Sequence, residues 1–338
     1  MSRRLLFAVL MGSFLLLSAC SKESAIDEQD KLNVYTSFYV MNDFAEKIGG
    51  DKINITNLVP AGTEPHDWEP TAKDIVKLQQ ADVFIYNGAG METYIDKILA
   101  SIENENLVVI EASKGIELQE IEENNTDNNN HEDENHEDNN HEDENHEDEN
   151  HEDDNHEDDN NHYHDIDPHV WLNPLMAKVE IKNIADGLAK ADEDNAKYYQ
   201  DNYEKYALEF DKLDKEFREE LKGFENRSVV VTHKAYGYLC KEYSLNQISI
   251  EGLNADAEPT PLKMAEITRF AKENNIKVIF IESLVSPKLA DTIAREIGAK
   301  TMILNPLGGL KQEEIEAGKD YFSIMRENLQ AIKTALIQ

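Results

Sequence analysis

Between His131 and Asn161 this 338-residue chain carries no apolar side chain at all. The stretch repeats the pentapeptide His-Glu-Asp-Glu-Asn with small variations. Its units begin at His131, His136, His141, His146, His151 and His156, and it runs on into His162 and His164. A segment with nothing to bury cannot offset the entropy of ordering its backbone, so it belongs to no core. A five-residue period is also too short for a solenoid, whose units run to roughly 20–50 residues. Whatever folds must be assembled from the chain on either side, with residues 119–164 as a disordered insert.

The flanks share one pattern. Before the insert, short apolar runs at 32–36, 53–59, 82–87 and 107–110 read as strands, and 39–47, 72–79 and 93–102 between them read as helices. After it, strands are expected at 228–232, 247–250, 277–281 and 300–304, with helices that include 261–273 and 287–297. Strand–helix alternation of this kind implies βαβ units and parallel sheets. Asn173-Pro174 opens a helix, because proline suits the first helical position. A longer helix is expected over 192–222. Its stripe of Tyr199, Tyr203, Tyr206, Phe210, Leu213, Phe217 and Leu221 follows the helical period along one face. The fold class is therefore α/β, two lobes of mainly parallel sheet flanked by helices and bridged by one long rigid helix. The expected divisions are a first lobe over 32–191, the linking helix over 192–222 and a second lobe over 223–338. A coiled-coil dimer is the alternative use of the stripe; packing onto the two lobes is preferred, and a monomer is expected.

Charge narrows the partners. The formal net charge is −36, and residues 131–160 hold 17 Asp or Glu with no Lys or Arg. The rest of the chain is acidic too. Phosphate backbones require basic patches, so nucleic acid is excluded, and cations are the natural partners.

At the amino end, Arg3 and Arg4 precede an apolar run over 5–17 that is too short to span a bilayer, which needs ~20 residues. It ends in Leu17-Ser18-Ala19-Cys20, which resembles a bacterial lipobox. That resemblance implies a signal peptide over 1–19, acylation of Cys20 and a tether over 20–31. The expected location is extracytoplasmic, on the cell surface or periplasmic face, held to the membrane by lipid. Cys240 then has no partner and is read as a buried small hydrophobe.

Eight of the eleven histidines belong to the insert or its end; His66, His169 and His233 remain. Each sits in a turn-rich segment or at a strand end, so facing lobes can bring all three to one point. Three imidazoles suit Zn²⁺ in a tetrahedral site with one further donor.

The segments Gly62-Thr63-Glu64-Pro65-His66-Asp67-Trp68-Glu69-Pro70, Asp167-Pro168-His169-Val170-Trp171-Leu172-Asn173-Pro174 and Thr232-His233-Lys234-Ala235-Tyr236-Gly237-Tyr238 resemble the metal-binding solute receptors of bacterial ABC importers, cluster A-I. Within that family the chain looks like the zinc-specific lipoprotein group, over nearly its whole mature length. The resemblance implies His66 and His169 as first-lobe ligands, His233 as the second-lobe ligand, Zn²⁺ as the cargo and an ABC permease as partner. Manganese receptors of the family place a carboxylate where His233 stands, and a third imidazole favours zinc. Many relatives also carry a carboxylate ligand after a segment like Leu304-Asn305-Pro306-Leu307. Here Gly308-Gly309 follows, so the fourth position is open to water, to Glu64 or Glu282, or to an insert histidine. Glu282 serves equally as a helix cap or as an orienting partner of a ligand histidine. The insert itself reads as an auxiliary collector of zinc, against the plainer reading of an acidic linker. Two other functions compete with the receptor reading: a surface adhesin or metal buffer, and a three-histidine zinc hydrolase. No His-Glu-x-x-His motif supports the hydrolase, so no enzyme activity is expected.

Overall fold

Strand composition separates the centre of each sheet from its edges. The computed structural model of the chain describes residues 31–120, 166–250 and 260–337. In the first half β1 (Leu32–Thr36), β2 (Ile53–Asn57), β3 (Val83–Tyr86) and β4 (Val108–Glu111) form a parallel sheet in the order β2-β1-β3-β4. In the second, β5 (Ser228–Val231), β6 (Asn246–Ser249), β7 (Val278–Ile281) and β8 (Lys300–Ile303) repeat that arrangement as β6-β5-β7-β8. The apolar runs Val83-Phe84-Ile85, Val229-Val230-Val231 and Val278-Ile279-Phe280 are buried on both faces, as central parallel strands must be. Edge strand β2 instead alternates polar and apolar residues.

Both sheets are sandwiched between helices. The first lobe uses α1 (Tyr39–Gly49), α2 (Ala72–Leu78) and α3 (Ile95–Ser101), and leads into α4 (Pro174–Ala191) and α5 (Ala196–Glu220). The second uses α6 (Gly237–Glu242), α7 (Pro261–Glu273), α8 (Lys288–Ile297), α9 (Gln312–Glu316) and α10 (Tyr321–Leu336). Side chains of successive strand residues point to opposite faces, which sorts the cores. Val83, Ile85, Val229, Val231, Val278 and Phe280 join one large cluster that runs through both lobes. Phe84 faces a separate first-lobe cluster, and Val230 and Ile279 face a separate second-lobe one. Cys240 is buried, and burial pushes its thiol up to about 12. Among the described residues no helix is long and apolar enough to cross a membrane.

Helix α5 lies against both halves. Phe210 meets Phe44 of the first lobe at 5.7 Å between ring centroids and Tyr321 of the second at 5.3 Å, while Phe217 stacks on Tyr243 at 4.9 Å. It is shorter than the expected 192–222, at 25 residues or ~37 Å. The reason is local: the Asp192 carboxylate accepts the Asn195 N–H and holds Glu193–Asn195 in a 3₁₀ turn before the α-helix begins. The helix expected at 93–102 likewise starts at Ile95, because residues 87–92 fold around the Glu92 carboxylate instead. Helices α6, α9 and α10 were not singled out in the sequence.

The ends of the insert meet. Glu120 pairs with Ile166 in an antiparallel bridge, and the Asp167 N–H donates to the Gln119 carbonyl at 3.0 Å. Cys20 and the histidines at 131, 136, 141, 146, 151, 156, 162 and 164 lie outside the described residues.

Candidate metal centre

In a doubly wound sheet, ligands collect beyond the carboxyl ends of the strands, where the connections diverge to either side. The three isolated histidines occupy that position. His66 follows β2 in a 3₁₀ turn, Pro65–Asp67, opened by the proline. His169 ends the Asp167-Pro168 segment, immediately before the turn Val170–Leu172 that leads into α4. His233 stands two residues past β5, after Thr232, whose N–H donates to the Phe280 carbonyl.

The rings converge. Centroids of His66 and His169 lie 5.1 Å apart, those of His66 and His233 5.3 Å, and those of His169 and His233 4.8 Å. One ring nitrogen from each falls within 4.8 Å of the other two. The Nε2 atoms of His66 and His169 are 3.0 Å apart. Zinc–nitrogen bonds of 2.0–2.1 Å in a tetrahedron place ligand nitrogens ~3.3 Å apart, so this spacing needs only a small adjustment to hold an ion.

Carboxylates orient two of the imidazoles. Asp167 Oδ1 accepts both the His169 main-chain N–H at 3.0 Å and the Nδ1 hydrogen at 2.8 Å. That fixes the ring and turns Nε2, with its lone pair, toward His66. Asp167 needs Gly237 beside it, because a Cβ there would meet Oδ2 at 2.5 Å. On the other lobe, His233 Nδ1 is bonded to Glu282 Oε1. Glu282 follows β7 directly and is buried; its Oε2 has no hydrogen-bond partner among the described residues. Glu64 is largely withdrawn from solvent and lies near Glu282 and His233.

The electrostatics are those of a neutral-imidazole site. Burial, then the neighbouring His169 and His233, pushes His66 down to about 2. Burial, then His233, holds His169 well below its ordinary value. Burial lifts Glu64 to about 7, reinforced by the Glu282 charge, and lifts Asp167 to about 7. Imidazoles held unprotonated present lone pairs, and carboxyls that resist ionisation in isolation gain a reason to ionise when a cation arrives.

A further layer was not assigned from the sequence. Buried Glu92 accepts the Ser37 hydroxyl at 2.7 Å and the N–H groups of Asn87 at 2.9 Å and Gly88 at 3.1 Å. The Asn87 amide then donates to the Pro168 carbonyl at 3.1 Å, one residue before His169. Trp171 packs on His169 with ring centroids 5.2 Å apart. Asp167 had a signal, since it stands two residues from a candidate ligand. Glu92 had none, because its partners come from two separate strand ends, after β1 and after β3.

Comparison with known proteins gives a consistent picture. A family profile described as "Zinc-uptake complex component A periplasmic" matches residues 34–335. The high-affinity zinc uptake system protein ZnuA of Bacillus subtilis (strain 168) is 43% identical over 333 residues, covering 97% of this chain and 96% of that protein. The zinc-binding lipoprotein AdcA of Streptococcus pneumoniae (strain ATCC BAA-255 / R6) is 35% identical over 332 residues; this chain spans 60% of its length. The crystal structure of the Zn(II)-bound ZnuA-like domain of Streptococcus pneumoniae AdcA superposes with a TM-score of 0.71 at 33% identity, covering 91% of this chain and 100% of that one.

Proposed function

Because the chain belongs to the family of the zinc-uptake complex component A, we propose that it is the extracytoplasmic zinc receptor of an ABC-type importer. His66, His169 and His233 are the ligands in this reading. The observation that carries it is the convergence of three imidazoles from three separate loops within one ion's reach, two of them held in place by buried carboxylates. The fourth donor is assigned to Glu64, which lies near His233 and whose Oε1 is 3.8 Å from the place a Cβ would take at Gly308; Glu282 already holds His233 through Nδ1, on the far side of that ring from an ion at Nε2. Three nitrogens and one oxygen favour zinc over manganese, which prefers oxygen ligands.

Capture joins the lobes of the proposed division, 32–191 and 223–338, across the linking helix. Glu64, His66 and His169 belong to the first lobe, and His233 to the second. An ion that completes the set stabilises the arrangement a permease recognises. Cys20 is the lipid anchor in this reading, the chain acts as a monomer, and the insert histidines gather zinc near the main site. The family is one of receptors and not of enzymes, so turnover has no part in the mechanism. Adhesion is not favoured by relatives named for zinc uptake and zinc binding.

The test is a competition titration of the metal-free protein with Zn²⁺ and Mn²⁺ against a calibrated chelator, alongside His233→Ala. One tight zinc site that discriminates against manganese and vanishes in the variant is the expected result. A manganese preference, or an unchanged tight site in His233→Ala, refutes the ligand assignment.

A further inference from the structure

One loop that contributes no ligand is bonded to all three loops that do. The carbonyls of residues 304–310 receive one donor from each of them. Tyr236, three residues after His233, donates its hydroxyl to the Leu304 carbonyl at 2.6 Å. Trp171, two residues after His169, donates its indole N–H to the Pro306 carbonyl at 2.7 Å. Gly62, four residues before His66, donates its main-chain N–H to the Leu310 carbonyl at 2.9 Å.

The loop is itself held rigidly. The Asn328 side chain on α10 closes a pair with the Asn305 backbone, accepting its N–H at 2.8 Å and donating to its carbonyl at 2.7 Å. The Asn305 side chain accepts the Leu307 N–H at 2.8 Å. Leu307 is fully buried at φ +62°, a left-handed conformation that a branched side chain adopts only when its surroundings impose it. The two glycines let the loop lie on the His66 segment: a Cβ at Gly308 would meet Pro65 at 2.9 Å, and one at Gly309 the Thr63 carbonyl at 3.0 Å.

We propose that residues 304–310 act as a gauge, setting the spacing of the three imidazoles through main-chain carbonyls and thereby the discrimination between zinc and larger, higher-coordinate cations. Tyr236 and Trp171 are positioning residues in this scheme. The inference rests on the zinc-receptor reading and adds a cause for its selectivity. Interior hydrogen bonds hold ligand groups to a fraction of an ångström, and a metal site is sensitive to displacements of that size.

The experiment compares the full chain with Tyr236→Phe, Trp171→Phe and Gly308→Ala, with Tyr199→Phe as control. Tyr199 loses a similar bond, to Asp192 at 2.7 Å, in the first turn of the linking helix. Each protein is titrated with Zn²⁺ and Mn²⁺ against a chelator, its melting temperature is recorded, and its Co²⁺ complex is examined by visible absorption. Tyr236→Phe and Trp171→Phe are each expected to weaken zinc roughly tenfold, the equivalent of one net hydrogen bond. Manganese affinity falls less, so the zinc-to-manganese ratio drops and the cobalt bands shift. Gly308→Ala keeps every donor yet displaces the loop from Pro65, and shifts the same bands. Tyr199→Phe changes only the melting temperature. If the three site variants keep the wild-type ratio and cobalt spectrum while melting earlier, the loop is merely structural and the proposal fails. Failure of the wild type to hold zinc tightly overturns the receptor reading itself, and is seen before any variant is compared.

Discussion

Asp167 shows how much of the proposed metal site lies outside its ligands. Its carboxylate accepts two hydrogens from one residue, His169, and so selects the tautomer that directs Nε2 inward. Outer partners of this kind typically contribute 10–100-fold to metal affinity. Asp167→Asn is therefore expected to weaken zinc binding by roughly that factor while the protein stays folded, as read by chelator competition. An unchanged affinity would show that His169 is oriented by packing alone. The three ligand candidates were legible in the sequence because each is an isolated histidine beside Pro, Trp or a strand end. Glu282 was legible as a candidate with two roles open. The Pro306 and Leu304 carbonyls were not, since every residue has a carbonyl and only the tertiary fold decides which ones meet Trp171 and Tyr236.

Elements were legible to the extent that their signals are local. The strand Leu32–Thr36 and the helix Pro261–Glu273 fall where expected, and Asn173 caps α4 by accepting the Leu175 N–H at 2.9 Å. Element ends moved where a side chain intervened, as Asp192 does before α5 and Glu92 does before α3. Helix α4 carries a feature that periodicity conceals: Glu180 lies on its buried face, with both carboxylate oxygens unpartnered among the described residues. Burial, and then the charge of Glu92, holds its carboxyl well above the usual range. A raised carboxyl means the folded state keeps its proton longer than the unfolded chain. Its contribution to stability is complete below the ordinary carboxylate range and is lost as pH rises through the folded value. Glu180→Gln removes that loss. The variant should melt with the wild type near about pH 4 and progressively later than it toward about pH 8, measured by thermal denaturation across that range. A variant that melts earlier at the alkaline end would mean that Glu180 is ionised and satisfied in the folded protein.

At the scale of the whole molecule the lobes are joined by more than the linking helix. Lys47 on α1 pairs with Asp43 at 2.8 Å and reaches Asp320, at the cap of α10, at 3.0 Å. The Tyr321 hydroxyl donates to the Trp171 carbonyl at 2.7 Å. A continuous core runs beneath these contacts. Wide hinge opening would break all of them together, so metal exchange at the proposed site is expected to be confined to the loops above the sheets. Small-angle scattering of the metal-free and zinc-loaded protein should show radii of gyration within about 1 Å of each other, in keeping with preorganised binders. A larger contraction would mean that the lobes close as rigid bodies. The same rigidity bears on the pairing of Glu120 with Ile166. Two positions already clasped by the fold form a splice point: the entropy of closing a loop grows only with the logarithm of its length. Foreign sequence of very different size, a peptide tag or a small reporter domain, is expected to be tolerated between them, with an unchanged melting temperature as the measurement that checks it. The clasp thus sets an insertion port directly before Asp167, the carboxylate that holds the His169 ring.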